Sequence, residues 1–213
     1  MNDLNVIDDD EEISLCPSTL AALQEFYSER EEREKLQKCS MSNEVLFDEN
    51  WQLSQFWYDD ETTDKLTKGA INCTQDNGKI ALISCPTLYK SIKKVSGNRE
   101  VTIFEFDERF SAFGSDFVNY DYNNPLNFPS ELKENYDLVI ADPPFLSDEC
   151  LTKTASTIKS LAKEKIIICT GAIMKELVEK LLDVKKCEFL PRHKNNLANE
   201  FFCYSNFNFD NCL

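Results

Sequence analysis

From Lys79 onward, apolar residues come in short runs, separated by longer stretches whose apolar positions recur at three- and four-residue spacing. The short runs, bounded by turn residues, read as buried strands, and the three-to-four spacing reads as helices with one apolar face. The pattern predicts strands over residues 80–84, 101–106, 117–120, 138–141 and 166–169. Between them it predicts a helix opening near Pro86 or Thr87, a short helix over 108–113 and a longer one over 147–161. A further helix over 173–182 leads to two last strands, 186–190 and 200–206. The segment joining these two is polar and too short for a helix, so they read as an antiparallel pair. Alternating strands and helices indicate an α/β, Rossmann-like fold: a doubly wound, mostly parallel sheet with a C-terminal antiparallel hairpin.

The first third of the chain reads differently. Residues 1–13 hold Asp3, Asp8, Asp9, Asp10, Glu11 and Glu12 with little apolar content, the composition of a disordered acidic tail. Residues 14–50 read as an N-terminal helix and a linker. The helix opens at Pro17-Ser18-Thr19 and carries Leu20, Leu23 and Phe26 or Tyr27 on one face, which docks either on its own domain or on a partner. Residues 51–213 are long enough for one domain with a sizeable core. They begin with an aromatic segment, 51–58, that contains both tryptophans. Asp59 or Asp60 then caps a helix running to about Cys73, with Leu66 and Ala70 inward, and Asn77-Gly78 ends it.

Charge and cysteine usage narrow the function. The chain has 38 acidic and 23 basic side chains, a formal net charge of -15. Nucleic-acid binding draws on Lys and Arg contacts to phosphate, so a general nucleic-acid binder is not expected, whereas a basic partner is favoured. No apolar run approaches the roughly 18–20 residues that span a bilayer, and the acidic N-terminus is not a secretory leader. There are nine cysteines, none in a C-x-x-C pair, and His193 is the only histidine. This argues against a zinc site and for a reducing cytoplasm. A monomer is expected.

The chemistry concentrates at strand ends, where open α/β sheets bind ligands. Asp142-Pro143-Pro144-Phe145 follows the fourth strand and cannot continue a ladder, because proline has no N–H to donate. Its carboxylate and a proline-pinned carbonyl can accept hydrogen bonds from an amino group, and the Phe145 ring can pack on that nitrogen. The first strand leads into Ser84-Cys85-Pro86-Thr87, a turn without glycine, which counts against a dinucleotide pyrophosphate. The second strand ends at Glu105-Phe106-Asp107, where alternation puts both acids on one side; either is placed to accept ribose hydroxyls. After the third strand, Asp121 is placed to accept an adenine amino group and Tyr122 to stack on the ring.

These segments together resemble one family. The motif 142–145 resembles the [DNS]-P-P-[YFW] signature of S-adenosylmethionine-dependent amino-methyltransferases. With residues 51–58, 104–110, 120–125, 169–174, 191–193 and 196–201 in order, the chain resembles the eukaryotic lysine methyltransferases of translation elongation factor 1-alpha. That family was once catalogued as putative N6-adenine-specific DNA methyltransferases. The resemblance covers about residues 17–208, and Phe145 stands where the family more commonly has tyrosine.

The resemblance implies a seven-strand class I methyltransferase sheet, S-adenosyl-L-methionine as methyl donor, and elongation factor 1-alpha as protein substrate. It implies Asp142, Pro143 and Phe145 at the reacting amine, with Asp142 either orienting the amine or receiving its proton. Ser84, Glu105, Asp107, Asp121, Tyr122 and Asp142 are the expected donor-binding residues. Trp51, Phe56, Trp57 and Asn199 are the expected substrate contacts, with Gln52, Ser54 or Gln55 meeting the donor carboxylate or substrate backbone. His193, beside Arg192, reads as structural. Adenine methylation and a non-catalytic partner subunit are the competing readings; the net charge opposes the first and the intact motif the second.

Overall fold

The computed structural model describes residues 47–195, 197 and 199–213. The expected acidic tail and N-terminal helix lie outside the described residues. Residues Glu49–Leu213 form one compact unit.

Seven strands make one sheet: β1 (Lys79–Ile83), β2 (Glu100–Glu105), β3 (Phe117–Asn119), β4 (Tyr136–Ala141), β5 (Ala162–Gly171), β6 (Lys185–Lys186) and β7 (Phe201–Ser205). Their order is β3-β2-β1-β4-β5-β7-β6. The first five pair in parallel, and β7 runs antiparallel to both β5 and β6. This is the seven-strand layout that the alternating pattern and the resemblance implied.

Four helices among the described residues accompany the sheet: α1 (Asp60–Cys73), α2 (Thr87–Val95), α3 (Asp148–Leu161) and α4 (Lys175–Leu182). Asp59 caps α1 by accepting the Thr62 N–H at 2.7 Å, and Ser147 caps α3 by accepting the Cys150 N–H at 3.2 Å. Strand order reverses at β1, so right-handed crossovers put α2 on one face of the sheet and α3 on the other. Ala81, Ile83, Val139, Ala141 and Ile168 bury one face in a cluster with Leu151, Ala155 and Ile158 of α3 and Val178 and Leu182 of α4. By alternation, Ile80, Leu82, Ile103 and Ile140 point to the other face, and all are fully buried. Burial on both faces is why these strands read as continuous apolar runs. None of the described helices is long and apolar enough to cross a membrane.

Three elements differ from the sequence expectation. The strand expected over 186–190 is reduced to Lys185–Lys186, because the Asp210 carboxylate takes the N–H groups of Glu188 (2.9 Å) and Phe189 (3.0 Å) out of the ladder. Strand β5 starts earlier and ends later than 166–169, and its last residues gain pairing from Phe202 and Phe201 of β7. The helix expected over 108–113 is a 3-10 segment, Glu108–Asp116, broken at Gly114 where φ is +62°.

The C-terminal segment closes on α1 through a glycine. Gly69 lies mid-helix, where alanine would normally be the more stable residue by about 0.5–1 kcal/mol. A Cβ at this position overlaps the ring of fully buried Phe209 and approaches Leu213 at 3.1 Å. Overpacking of a rigid aromatic outweighs helix propensity here. Gly69→Ala is therefore expected to destabilise the protein by about 1–3 kcal/mol, read as a lower thermal midpoint; an unchanged or raised midpoint would show that Phe209 can move aside.

Candidate functional site

The carboxyl ends of β1, β2 and β4 are aligned by register. Ile83 pairs with Phe104 on one side and Ala141 on the other, so Ser84, Glu105 and Asp142 emerge at one edge. The alignment continues past the paired residues: Ser84 N–H donates to the Phe104 carbonyl at 2.9 Å and Asp142 N–H to the Ile83 carbonyl at 3.0 Å. Tyr120 N–H donates to the Glu105 carbonyl at 3.0 Å, which sets Asp121 and Tyr122 at the same edge. A cavity of about 510 Å³ opens there.

Most of the sequence-selected residues line this cavity: Ser84, Glu105, Asp121, Tyr122, Asp142, Pro143, Phe145, Phe56, Trp57 and Asn199. Gln52, Ser54 and Gln55 line it as well. Two residues stand outside it. Trp51 sits in a 3-10 turn (Trp51–Leu53), 66% exposed, with its indole N–H donating to Glu49 at 2.9 Å. Asp107 lies beyond the end of β2, where strand alternation no longer applies, and caps the segment that follows.

The structure thereby separates the two acids that alternation left equivalent. Asp107 is occupied: the Arg109 guanidinium donates to both its oxygens, down to 2.6 Å, and Gln55 Nε2 donates to Oδ2 at 3.0 Å. Burial works to raise its pKa, but these hydrogen bonds and the charge of Arg109 prevail and hold it below the ordinary carboxylate value. Glu105 lines the cavity, and its Oε1 accepts the N–H groups of Phe106 (3.1 Å) and Asp107 (3.3 Å). Burial pushes its pKa up to about 7, against the lowering effect of those bonds.

The first turn reaches its shape without glycine. Ser84 itself takes φ +53°, the left-handed region usually left to glycine. Such a conformation costs on the order of 1–3 kcal/mol, and residues held in it gather at ligand sites. Asp121 is organised by its own turn, accepting the Asn123 N–H at 2.8 Å and the Asn124 side-chain amide at 3.3 Å. Next to it, the Tyr122 and Phe145 rings meet edge to face with centroids 5.7 Å apart.

The aromatic segment is fastened at both ends. Gln55 ties it to Asp107 and Arg109. Glu49 accepts the Trp57 N–H at 2.7 Å and the Asn195 side-chain amide at 2.6 Å. Tyr58 and His193 form an antiparallel bridge, flanked by the bonds Asp59 N–H to Arg192 carbonyl (3.0 Å) and Lys194 N–H to Trp57 carbonyl (2.8 Å).

This bridge brings in two lining residues outside the sequence-selected set. The His193 side chain is 5% exposed, and its Nε2 stands 4.0 Å from Asp142 Oδ2. The imidazole is packed against Tyr58 and Phe201, with ring centroids 5.1 Å and 4.7 Å away. The Tyr58 hydroxyl is buried without a hydrogen-bond partner of ordinary geometry. Burial first, and the facing Asp142 carboxylate second, hold its pKa well above the usual phenol value. The sequence signals were that Tyr58 and His193 both lie in segments that carry the resemblance, 51–58 and 191–193, and that His193 is the chain's sole histidine.

Comparison with known proteins extends this picture. A family model described as probable N6-adenine methyltransferase matches residues 49–209. The chain is 50% identical to "EEF1A lysine methyltransferase 1" of Gallus gallus, covering 94% of this chain and 97% of that protein. It is 47% identical to the Homo sapiens protein of the same name, covering 94% and 95%. It is 37% identical to "Protein-lysine N-methyltransferase EFM5" of Saccharomyces cerevisiae, covering 91% and 92%.

Glu105 generates a stability prediction. Its folded pKa of about 7 lies above the ordinary 4.5. The folded state therefore keeps a proton that the unfolded state has already lost, and stability falls as pH rises through that interval. Glu105→Gln removes this penalty. The variant is expected to match the natural protein near pH 4.5 and exceed it by up to roughly 3 kcal/mol at pH 8. Denaturant titrations at the two pH values check this; an advantage independent of pH would show that Glu105 is not the titrating group.

Proposed function

We propose, from the premise that this chain belongs to the probable N6-adenine methyltransferase family, whose relatives named above are protein-lysine methyltransferases, that it methylates a lysine of elongation factor 1-alpha with S-adenosyl-L-methionine. The carrying observation is that Asp142-Pro143-Pro144-Phe145 opens into the same cavity as Glu105 and Asp121.

The cavity suits the donor. Its volume lies in the range of small-molecule sites. Glu105 is placed for the ribose hydroxyls, Asp121 for the adenine amino group, and the left-handed Ser84 turn for backbone approach. Bound there, S-adenosyl-L-methionine supplies a methyl group activated on a sulfonium. The chain's residues do the rest. Phe145, Tyr122, Phe56 and Trp57 give the lysine an aromatic surrounding that disfavours its charged form. Asp142 and the Pro143 carbonyl accept N–H bonds from the amine and aim its lone pair. Holding the two reactants in line is worth a large share of the acceleration.

The acidic chain suits a basic protein surface, and a net charge of -15 opposes a nucleic-acid substrate. Cysteine usage, nine residues with no C-x-x-C pair, is what a reducing cytoplasm favours, and the reading places the reaction there. The reading takes the protein to act as a monomer.

Two measurements test the reading. Labelled donor incubated with the protein and elongation factor 1-alpha is expected to label the factor, and Asp142→Ala to lower the rate by about 10²-fold or more. Label on RNA or DNA instead would overturn the substrate in favour of adenine. In calorimetry, donor affinity is expected to strengthen several-fold from pH 6 to pH 8 as Glu105 ionises. Glu105→Gln is expected to bind more weakly with no such dependence; a pH-independent wild-type affinity would remove Glu105 from the donor site.

A further inference from the structure

A lysine amine is protonated at neutral pH, with an ordinary pKa near 10.4. It carries no lone pair for attack until a proton leaves. The groups around Asp142 sort themselves by their capacity to take that proton. The Tyr58 phenol is kept protonated by burial and by Asp142, so it can only donate. The buried Cys85 thiol donates to the Ile140 carbonyl at 3.5 Å, and burial raises its pKa well above the usual value. Glu105 and Asp121 line the same cavity and are assigned to the donor's ribose and adenine, so two acceptors remain at the amine: Asp142 and His193.

These two are not bonded to each other. At 4.0 Å, His193 Nε2 and Asp142 Oδ2 are too far apart for a direct hydrogen bond. One nitrogen placed about 2.9 Å from each spans that gap with two diverging N–H groups. Both side chains line the cavity. The imidazole is locked by the Tyr58–His193 bridge and by the Tyr58 and Phe201 rings. The other titratable side chains near it are Tyr58 and Asp59 on the bridged segment, Arg192 and Lys194 beside it in the chain, and Glu200 ahead of Phe201. Of these, only Tyr58 lines the cavity that holds Asp142.

We propose that His193 accepts the proton of the substrate amine, with Asp142 fixing the amine between them and stabilising the imidazolium that forms. This rests on the lysine-methyltransferase reading. The ammonium N–H bond breaks, and its proton goes to His193 Nε2. The freed lone pair forms the new N–C bond to the methyl carbon, and the old S–C bonding pair stays on sulfur. The product is a methylammonium, and the imidazolium returns its proton to solvent, one per methyl transferred. Asp142 by itself holds the amine as a cation; His193 lets the pair retain its negative charge on Asp142 while the amine becomes neutral. Histidine suits this exchange because its charge ordinarily changes between pH 5 and 8.

Two experiments decide it. The sole histidine gives untagged protein a single imidazole Cε1–H resonance, free of assignment doubt. At fixed pH that resonance is expected to change its chemical shift in Asp142→Asn, which removes the neighbouring carboxylate but leaves the imidazole in place. An unmoved resonance overturns the pairing. In turnover assays, His193→Gln is expected to lose about 10²–10⁴-fold at pH 7. It should recover steeply toward pH 9, where solvent base takes over, while donor affinity stays within about twofold and circular dichroism is unchanged. A loss of equal size at every pH, or none, overturns the role of His193 alone. A wild-type protein that leaves elongation factor 1-alpha unlabelled overturns the reading on which the proposal rests.

Discussion

The parallel register of β2, β1 and β4 is the constraint on which the site depends. Pairing of Ile83 with both Phe104 and Ala141 leaves no freedom in where Ser84, Glu105 and Asp142 emerge. A one-residue slip would turn every apolar side chain of a strand to the opposite face. Both faces are packed, so the cost of forcing Ile80, Leu82 or Ile140 into the places of Ala81 and Ala141 fixes the geometry of the acids. Burial also creates the chemistry, since the desolvation that seats Glu105 at the strand end is what moves its titration toward neutrality. Core and site are held by the same free energy.

Segment 52–58 is positioned by a different kind of contact. It is irregular, and it is held by charged and polar side chains at its edges rather than by a ladder. The Gln55–Asp107–Arg109 cluster fixes it to the end of β2, and Glu49 with the Tyr58–His193 bridge fixes it to residues 192–195. Asp107 thus has a positioning task, and its depressed pKa reflects an anion engaged by guanidinium rather than one available to a ligand. The two acids of one short motif are divided between structure and binding by a single difference: whether an arginine reaches them.

What the sequence revealed follows the range of the interactions involved. Strand runs, helix caps and Asp142-Pro143-Pro144-Phe145 are local, and each carries its own chemical signature, so the sheet, the strand-end acids and most cavity-lining residues were legible. Glu105 and Asp107 were inseparable because alternation holds only while the strand continues, and β2 stops at Glu105. The shortening of β6 depends on Asp210, whose side chain reaches back to Glu188 and Phe189. Trp51 looks like its aromatic neighbours, yet the 3-10 turn that holds it directs it to solvent. His193 is brought to Asp142 by pairing between segments distant in the chain, which no local periodicity encodes.

That pairing also addresses a conflict built into any amine-methylating site. The carboxylate that orients the amine also stabilises the charged form that cannot react. An aromatic enclosure pushes the other way, but expelling the proton to water from a closed cavity separates it from the anion it leaves behind. The imidazole 4.0 Å from that carboxylate gives the proton a destination inside the site. The net charge of the cavity then changes little during the transfer, which matters because charge separation is most costly where water is excluded. The phenol of Tyr58, kept protonated by burial and by the same carboxylate, takes no part in that exchange. On this view Asp142 need never be protonated, and its value lies in remaining charged while its neighbours exchange the proton.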